Sequence, residues 1–364
     1  MNETLTNWQI AFILFAAIIA QNFIILPQIL AESVGTGGWI TILISTVIVV
    51  IITYIFTYLG YVHKNKTLYE YSQLLTGKYI TYIFMSIFIL YFFLFFTINA
   101  RLFCEDLKLF IMPRTPINAI YILLLFVIYL ILSKGLRLIA RLCEFYGIIV
   151  LIGLAIVFTI ISTQGKLINI RPILGSTDML NYFKAIPLMI VPFLGFEILG
   201  CIGIDRKNTK KVFKYTTLMI VVIGMLFIYA SESCLAVIGV DSIIHYKLTL
   251  FNVLRSLDIP FLDFLKRLDG TVLFLWFMSM VTHLSMFAYG AIIFIHKCFK
   301  KSSYQLLIPI ILILALFISQ IPKTYEEVEN ALKYIGYLTI FTALLIPITL
   351  LIITKVKKYD KNIE

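Results

Sequence analysis

Charge is what this sequence has least of. Asp, Glu, Lys and Arg make up 13% of its 364 residues, about half the roughly 25% that covers the surface of an ordinary soluble domain. A soluble globular protein is therefore excluded by composition. Cysteine is also scarce: the five (Cys104, Cys143, Cys201, Cys234, Cys298) show no paired spacing and mostly fall in apolar stretches, so neither a disulfide framework nor a metal cluster is expected. No cofactor signature is present either. Thr76-Gly77-Lys78 lacks the upstream glycine and the following Ser or Thr of a phosphate loop. A metal-binding His-Glu pair and a serine elbow are equally missing, and an enzyme is not expected.

What is present is apolar length. Hydrophobic residues make up 61% of the chain and the mean hydropathy is +1.00. Runs of about 20 apolar residues, the length that crosses hydrocarbon, lie near 8–30, 38–61, 79–100, 116–133, 142–163, 180–201, 215–238, 271–295, 304–321 and 333–354. That pattern predicts an all-α integral membrane protein of about ten spanning helices in one transmembrane domain. The first run has no basic residue ahead of it and no small-residue cleavage site, so it reads as a retained helix rather than a signal peptide.

The net charge of +11 raises the question of nucleic acid, and its distribution answers it. Basic residues cluster in alternate connections, around 64–78, 134–141, 206–214, 297–301 and 355–361. Excess Lys and Arg mark the cytoplasmic side, so the charge reports topology, with both termini cytoplasmic and lipid as the surrounding partner. Short amphipathic helices are expected at 68–75 on the inner surface, and at 248–257 and 261–268 over the outer mouth.

Two runs are not ordinary helices. The first reads Ala20-Gln21-Asn22-Phe23-Ile24-Ile25-Leu26-Pro27, and the sixth holds Pro187 and then Pro192-Phe193-Leu194-Gly195-Phe196-Glu197. Proline removes a backbone donor and clashes with the preceding turn, and glycine loosens a helix further. Bare backbone survives at membrane depth only inside protein or beside a watery cavity. The two interruptions occupy matching positions in two five-helix halves, about 8–163 and 180–354. That is the pattern of an inverted repeat with a small-molecule site between broken helices; two unrelated proline kinks are the plainer alternative.

The candidate site residues follow from that placement. Glu197 is a mid-span carboxyl, a contact for a ligand amine or a proton if it faces a cavity, or a cap for freed backbone if it does not. Gln21 and Asn22, with Ile24 beyond them, sit where helix one opens; the two amides either meet a ligand or satisfy the helix's own ends. Gly195 and Phe196 lie at the second break. Tyr91, Phe95 and Asn99 share one face of helix three by four-residue spacing, a stripe that core packing also explains. His283 stands at mid-span among Ser279, Thr282 and Ser285, lining a site or making a single interhelical hydrogen bond. Convergent oxygens for a coupling cation would come from helices one and eight, with Thr282 and Ser285 available. Arg101 and Glu105 read as an ion pair near the outer end of helix three.

Several stretches carry a resemblance. Ile25-Leu26-Pro27 followed by Leu30-Ala31-Glu32 and Gly38-Trp39, then YEYSQLLTGK (69–78), RLFCEDLKLFIMPRTP (101–116), KGLRLIARLCE (134–144), PFLGFEIL (192–199) and LRSLDIPFLDFLKRLD (254–269) resemble the B subunit family of spore germinant receptors. That family belongs to the amino acid–polyamine–organocation transporter superfamily. The resemblance implies a LeuT-type five-plus-five inverted repeat with helices 1 and 6 broken. It also implies germinant sensing in the spore inner membrane beside an A subunit and a lipoprotein C subunit. A secondary amino-acid transporter, or a water or ion conduit walled by Glu197, needs the same broken helices. This chain departs from the family in placing Gln21, Asn22 and Phe23 ahead of the Ile-Leu-Pro stretch, where small residues are common, which leaves the germinant's class open.

Overall fold

The computed structural model describes residues 5–20, 22–172, 179–205, 210–256, 268–299 and 302–359, and all regular structure among them is helical. Six helices are long and apolar enough to cross a membrane, counting Asn22–Val62 as one, and Asn7–Ile19, Ile117–Ser133, Met179–Phe193 and Tyr304–Ile318 are shorter apolar helices. Large apolar side chains such as Leu123, Phe126, Ile152, Ile156, Met225 and Phe317 stand exposed around the outside. In water such a belt would drive aggregation; against lipid it is the natural covering.

The first expected span is built from α1 (Asn7–Ile19) and α2 (Asn22–Val34). Thr6 starts α1 with a capping box: its hydroxyl accepts from the Gln9 N–H, and the Gln9 side chain accepts from the Thr6 N–H, both at 3.1 Å. After α3 (Gly38–Val62), the short α4 (Leu68–Thr76) matches the expected inner amphipathic helix and begins with a second capping box, Thr67 with Glu70. α5 (Lys78–Phe110) runs 33 residues, about 50 Å at 1.5 Å per residue against roughly 30 Å of hydrocarbon. It therefore overshoots the expected span by ten residues and carries Arg101, Glu105 and Asp106 into its final turns.

α6 (Ile117–Ser133), α7 (Leu136–Thr163) and α8 (Met179–Ile190) follow. α9 (Lys211–Ile238) leads into the short α10 (Val240–Ile243) and α11 (Thr249–Ser256), the first of the two expected mouth helices; most of the second lies outside the described residues. α12 (Leu268–Cys298), α13 (Tyr304–Ile318), α14 (Tyr325–Tyr337), a π-helical stretch at Ile340–Leu345 and α15 (Ile346–Val356) complete the chain. The last span thus begins eight residues before the apolar run does.

α12 is the axis of the bundle, packed against α5, α7 and α1, while α3 packs on α8 and α9. At the α4 end the elements are bolted together by polar contacts. Lys297 pairs with Glu70 at 2.8 Å, Lys357 Nζ donates to the Leu75 carbonyl at 2.8 Å, and the Asn65 N–H donates to the Ile204 carbonyl at 2.8 Å. The buried His63 stacks on Tyr71 with ring centroids 5.3 Å apart, and its Nε2 lies 3.3 Å from Thr354 Oγ1. At the opposite end Arg101 pairs with Glu105 at 2.8 Å as expected, and the Tyr325 hydroxyl donates to Asp106 at 2.9 Å.

Candidate functional site

The first break falls earlier than the proline suggests. α1 ends at Ile19, Ala20 takes a non-helical conformation (φ 3°, ψ −105°), and the helix resumes at Asn22. Pro27 lies inside α2, so the expectation that helix one opens toward its proline is corrected: the helix is continuous from Asn22 through Pro27, and it is broken after Ile19, at Ala20. A proline has no N–H to give to the carbonyl four residues back, so α2 runs past Pro27 at the cost of one bond, to the Phe23 carbonyl. Gln21, one of the proposed ligand residues, lies outside the described residues.

The second break is longer. α8 gives way to a 3₁₀ turn at Val191–Phe193, Leu194 is extended, and a second 3₁₀ helix occupies Phe196–Cys201. Gly195 joins them at φ +129°, a conformation that side-chain-bearing residues rarely adopt. A Cβ there would also run into the Ala17 carbonyl oxygen of α1. Glycine is required twice over, by its dihedral and by the contact of the two breaks.

A helix end leaves its last carbonyls without donors, and here side chains supply them. The Asn22 Nδ2 group donates to the Ile18 carbonyl and, across the gap, to the Pro192 carbonyl, both at 2.7 Å. His283 Nδ1 lies 2.7 Å from the Ala17 carbonyl and Nε2 lies 3.1 Å from Asn99 Nδ2. A carbonyl can only accept, so Nδ1 carries the proton; Nε2 then accepts from the amide as Asn99 is oriented, and the ring is neutral. Glu197, fully buried, turns back on its own break: Oε2 accepts from the Gly195 N–H at 2.7 Å, and the Tyr91 hydroxyl approaches Oε1 at 3.4 Å. Among the described residues no basic side chain pairs with it.

The structure therefore sets three groups of hydrogen bonds on the two breaks: Asn22 of α2 on the Ile18 and Pro192 carbonyls, Glu197 with Gly195 and Tyr91 of α5, and His283 of α12 with Asn99 and the Ala17 carbonyl. Phe95 borders the last of these, stacked on Phe287 at 4.6 Å and 5.9 Å from the His283 ring. Phe196 and Ile24 are fully buried, the former packed edge-on to Phe56 of α3 at 6.0 Å. The hydroxyls of Ser279, Thr282 and Ser285 each donate to carbonyls of their own helix, the ordinary resting place of a hydroxyl in a helix.

Sequence reasoning missed the carbonyls of Ala17, Ile18 and Pro192, because a backbone acceptor has no residue-type signature. It also passed over Glu232 in α9, whose Oε1 is buried without a hydrogen-bond partner among the described residues. An acidic residue inside an apolar run was the available signal.

A family model described as spore germination protein (Spore_permease) matches residues 4–328. The chain belongs to that family. Spore germination protein YndE of Bacillus subtilis (strain 168) is 25% identical over 359 residues, covering 97% of each chain. Spore germination protein A2 of the same organism is 26% identical over 362 residues, covering 97% of this chain and 96% of its own. In solved structures the fold matches MHP1, a nucleobase-cation-symport-1 family transporter in a closed conformation with bromovinylhydantoin bound. The TM-score is 0.67 at 12% identity, over 93% of this chain and 76% of that one. A substrate-bound, outward-open Na+-coupled sialic acid symporter matches at a TM-score of 0.66 and 12% identity, over 93% and 79%. The architecture of this spore germination family member is thus the LeuT-type five-plus-five inverted repeat with helices 1 and 6 broken, in a multi-pass membrane protein.

Proposed function

We propose that this chain is the transporter-like sensing subunit of a spore germinant receptor, and that a small nutrient is read where the two broken helices meet. The observation that carries the reading is the clasp of Asn22 on the Ile18 and Pro192 carbonyls. These two acceptors face each other across the breaks and are occupied by a side-chain amide. A solute with N–H donors competes for the same pair, releases Asn22, and so separates or redraws the breaks. A ligand shifts a conformational equilibrium only through different affinity for its two states, and exchange of one clasp for another is such a difference. Glu197, held on the Gly195 N–H at the second break, supplies a carboxyl for an incoming cationic group.

In this reading the basic clusters place the α4 end and both termini on the cytoplasmic side, in the spore inner membrane. The receptor's A subunit and lipoprotein C subunit are the partners that receive the change. Residues 8–163 and 180–354 form the two repeats of a single transmembrane domain. Transport coupled to a cation or proton is the rival reading. The match of the spore germination family model to residues 4–328 is what favours sensing.

The test is germination of spores carrying Asn22→Ala or Glu197→Gln in place of the native residue. Each is expected to change the germinant concentration dependence when compared at matched protein level, and wild-type responses from both would remove the site. Concentrative uptake by the chain alone in energised vesicles would favour transport.

A further inference from the structure

A cavity lies away from the breaks, at the end opposite α4, with a volume of about 460 Å³. Three walls enclose it: the turn after α2 (Val34, Gly35, Thr36), the connection between α7 and α8 (Ile168, Asn169, Arg171, Pro172), and the junction of α9 with α10 (Ile238 to Ser242). These walls are tied to one another. Thr36 Oγ1 donates to the Pro172 carbonyl at 2.8 Å; Asn169 Nδ2 and the Lys166 N–H donate to the Ala236 carbonyl at 2.9 and 2.8 Å. Gly35 and Gly239 turn the chain at φ +68° and +82°, and a Cβ on Gly35 would meet nothing within 4 Å.

Charge distinguishes the lining. Arg171 and Asp241 both face the cavity from different walls, and among the described residues neither is in an ion pair. A guanidinium fork recognises a carboxylate, and an aspartate recognises an ammonium. Held apart on two walls of a cavity within the size range of small-molecule sites, they suit one solute carrying both charges.

We propose that this cavity is an outer binding site for a zwitterionic small molecule of the α-amino acid type, its carboxylate on Arg171 and its ammonium on Asp241. An occupant so held bridges the α7–α8 connection to α10, over the ends of α2 and α9 that line the same cavity. The two helices pack along one another, so occupancy braces the segment that begins at Asn22. The biological use of this site rests on the sensing reading above; its binding chemistry does not.

The experiment is binding to the purified full chain in detergent, read by titration calorimetry and ligand-dependent melting. Neutral L-amino acids are each tested beside their amide and their deaminated acid. Arg171→Gln is expected to weaken the amino acid and the deaminated acid, and Asp241→Asn the amino acid and the amide, each by about five- to tenfold, as for single charged contacts near a rim. Both side chains are exposed, so the unliganded melting temperature should match wild type. The Arg171→Gln loss should vanish for the amide, which has no carboxylate to lose. Wild-type affinity in both variants, or no binding by any amino acid to the wild type, overturns the assignment. Binding lost in Asn22→Ala but kept in both cavity variants places the ligand at the breaks, which overturns this site while supporting the sensing reading. Germination unchanged in Asn22→Ala spores, with cavity binding intact, does the reverse.

Discussion

The centre of the bundle and its α4 end both depart from simple helix crossing, and they are held by different chemistry. At the centre, short hydrogen bonds from Asn22, His283 and Glu197 satisfy backbone groups that the two breaks expose. No ion pair serves there among the described residues. At the α4 end the fastening is an ammonium–carboxylate pair, a lysine on a helix-end carbonyl, and a histidine ring stacked on Tyr71 with Tyr359 tilted against it. The difference follows from the solvent. Away from water an unpaired backbone group is costly and has no substitute partner, so each bond matters singly. Near water an exposed ion pair exchanges easily with hydration and contributes little.

That contrast can be broken most severely at Gly195. Gly195→Ala adds a Cβ against the Ala17 carbonyl at a φ of +129°, and the expected cost is roughly 2–4 kcal/mol from overpacking together with the unfavourable dihedral. Thermal melting of the purified chain should fall accordingly; a melting temperature near wild type would show that the breaks are not in contact.

His63 tests the other region by pH. Burial, with Lys66 adding to it, pushes its imidazole from 6.5 down to about 4. The folded state therefore binds fewer protons than the unfolded chain. Its contribution is whole above pH 6.5 and is lost as pH falls from there toward 4, about 3 kcal/mol over that window at 1.36 kcal/mol per unit. His63→Gln should flatten the acid side of the stability profile between those values. An unchanged profile would remove the histidine from the account.

Asn22→Ala leaves the Ile18 and Pro192 carbonyls without their amide donor, an expected loss of about 1–3 kcal/mol in melting. Glu197→Gln should be milder than Glu197→Ala, because the amide oxygen still accepts from the Gly195 N–H. If Gln and Ala destabilise equally, that bond is not what Glu197 supplies.

The smallest effect is expected at Glu70. Burial raises its carboxyl, yet Lys297 and the backbone and hydroxyl of Thr67 together hold it below the ordinary value. Its contribution is present at neutral pH and is lost as pH falls through the lowered folded-state value. The side chain is 39% exposed, so Glu70→Gln should cost under about 1 kcal/mol and the cost should shrink in high salt. A larger, salt-independent loss would mean that the two regions are not as different as they look.

Legibility differed in the same way between element and contact. The ten apolar runs, the α4 helix and the paired interruptions were readable, since length, amphipathicity and proline are local properties. The end of α5 beyond Glu105 and the early start of α14 were not, because they are too polar for a hydropathy window and are held by each other, as Tyr325 on Asp106 shows. Tyr91 and Asn99 were placed on one face correctly, but a repeating aromatic face is common in membrane helices. Only the arrival of Glu197 and His283 separates this one from ordinary packing.

By itself the sequence determined that this chain lives in a bilayer, how many times it crosses, and that its first and sixth helices are interrupted. Each of those is a sum over neighbouring residues: transfer free energy along a window, or a missing N–H in a turn. Tertiary structure alone decided where the first break falls, that Asn22 bridges it to Pro192, and that Arg171 and Asp241 face one cavity. Those depend on backbone carbonyls and on residues 170 positions apart meeting in space, and no local property of a chain encodes which distant atoms it will meet.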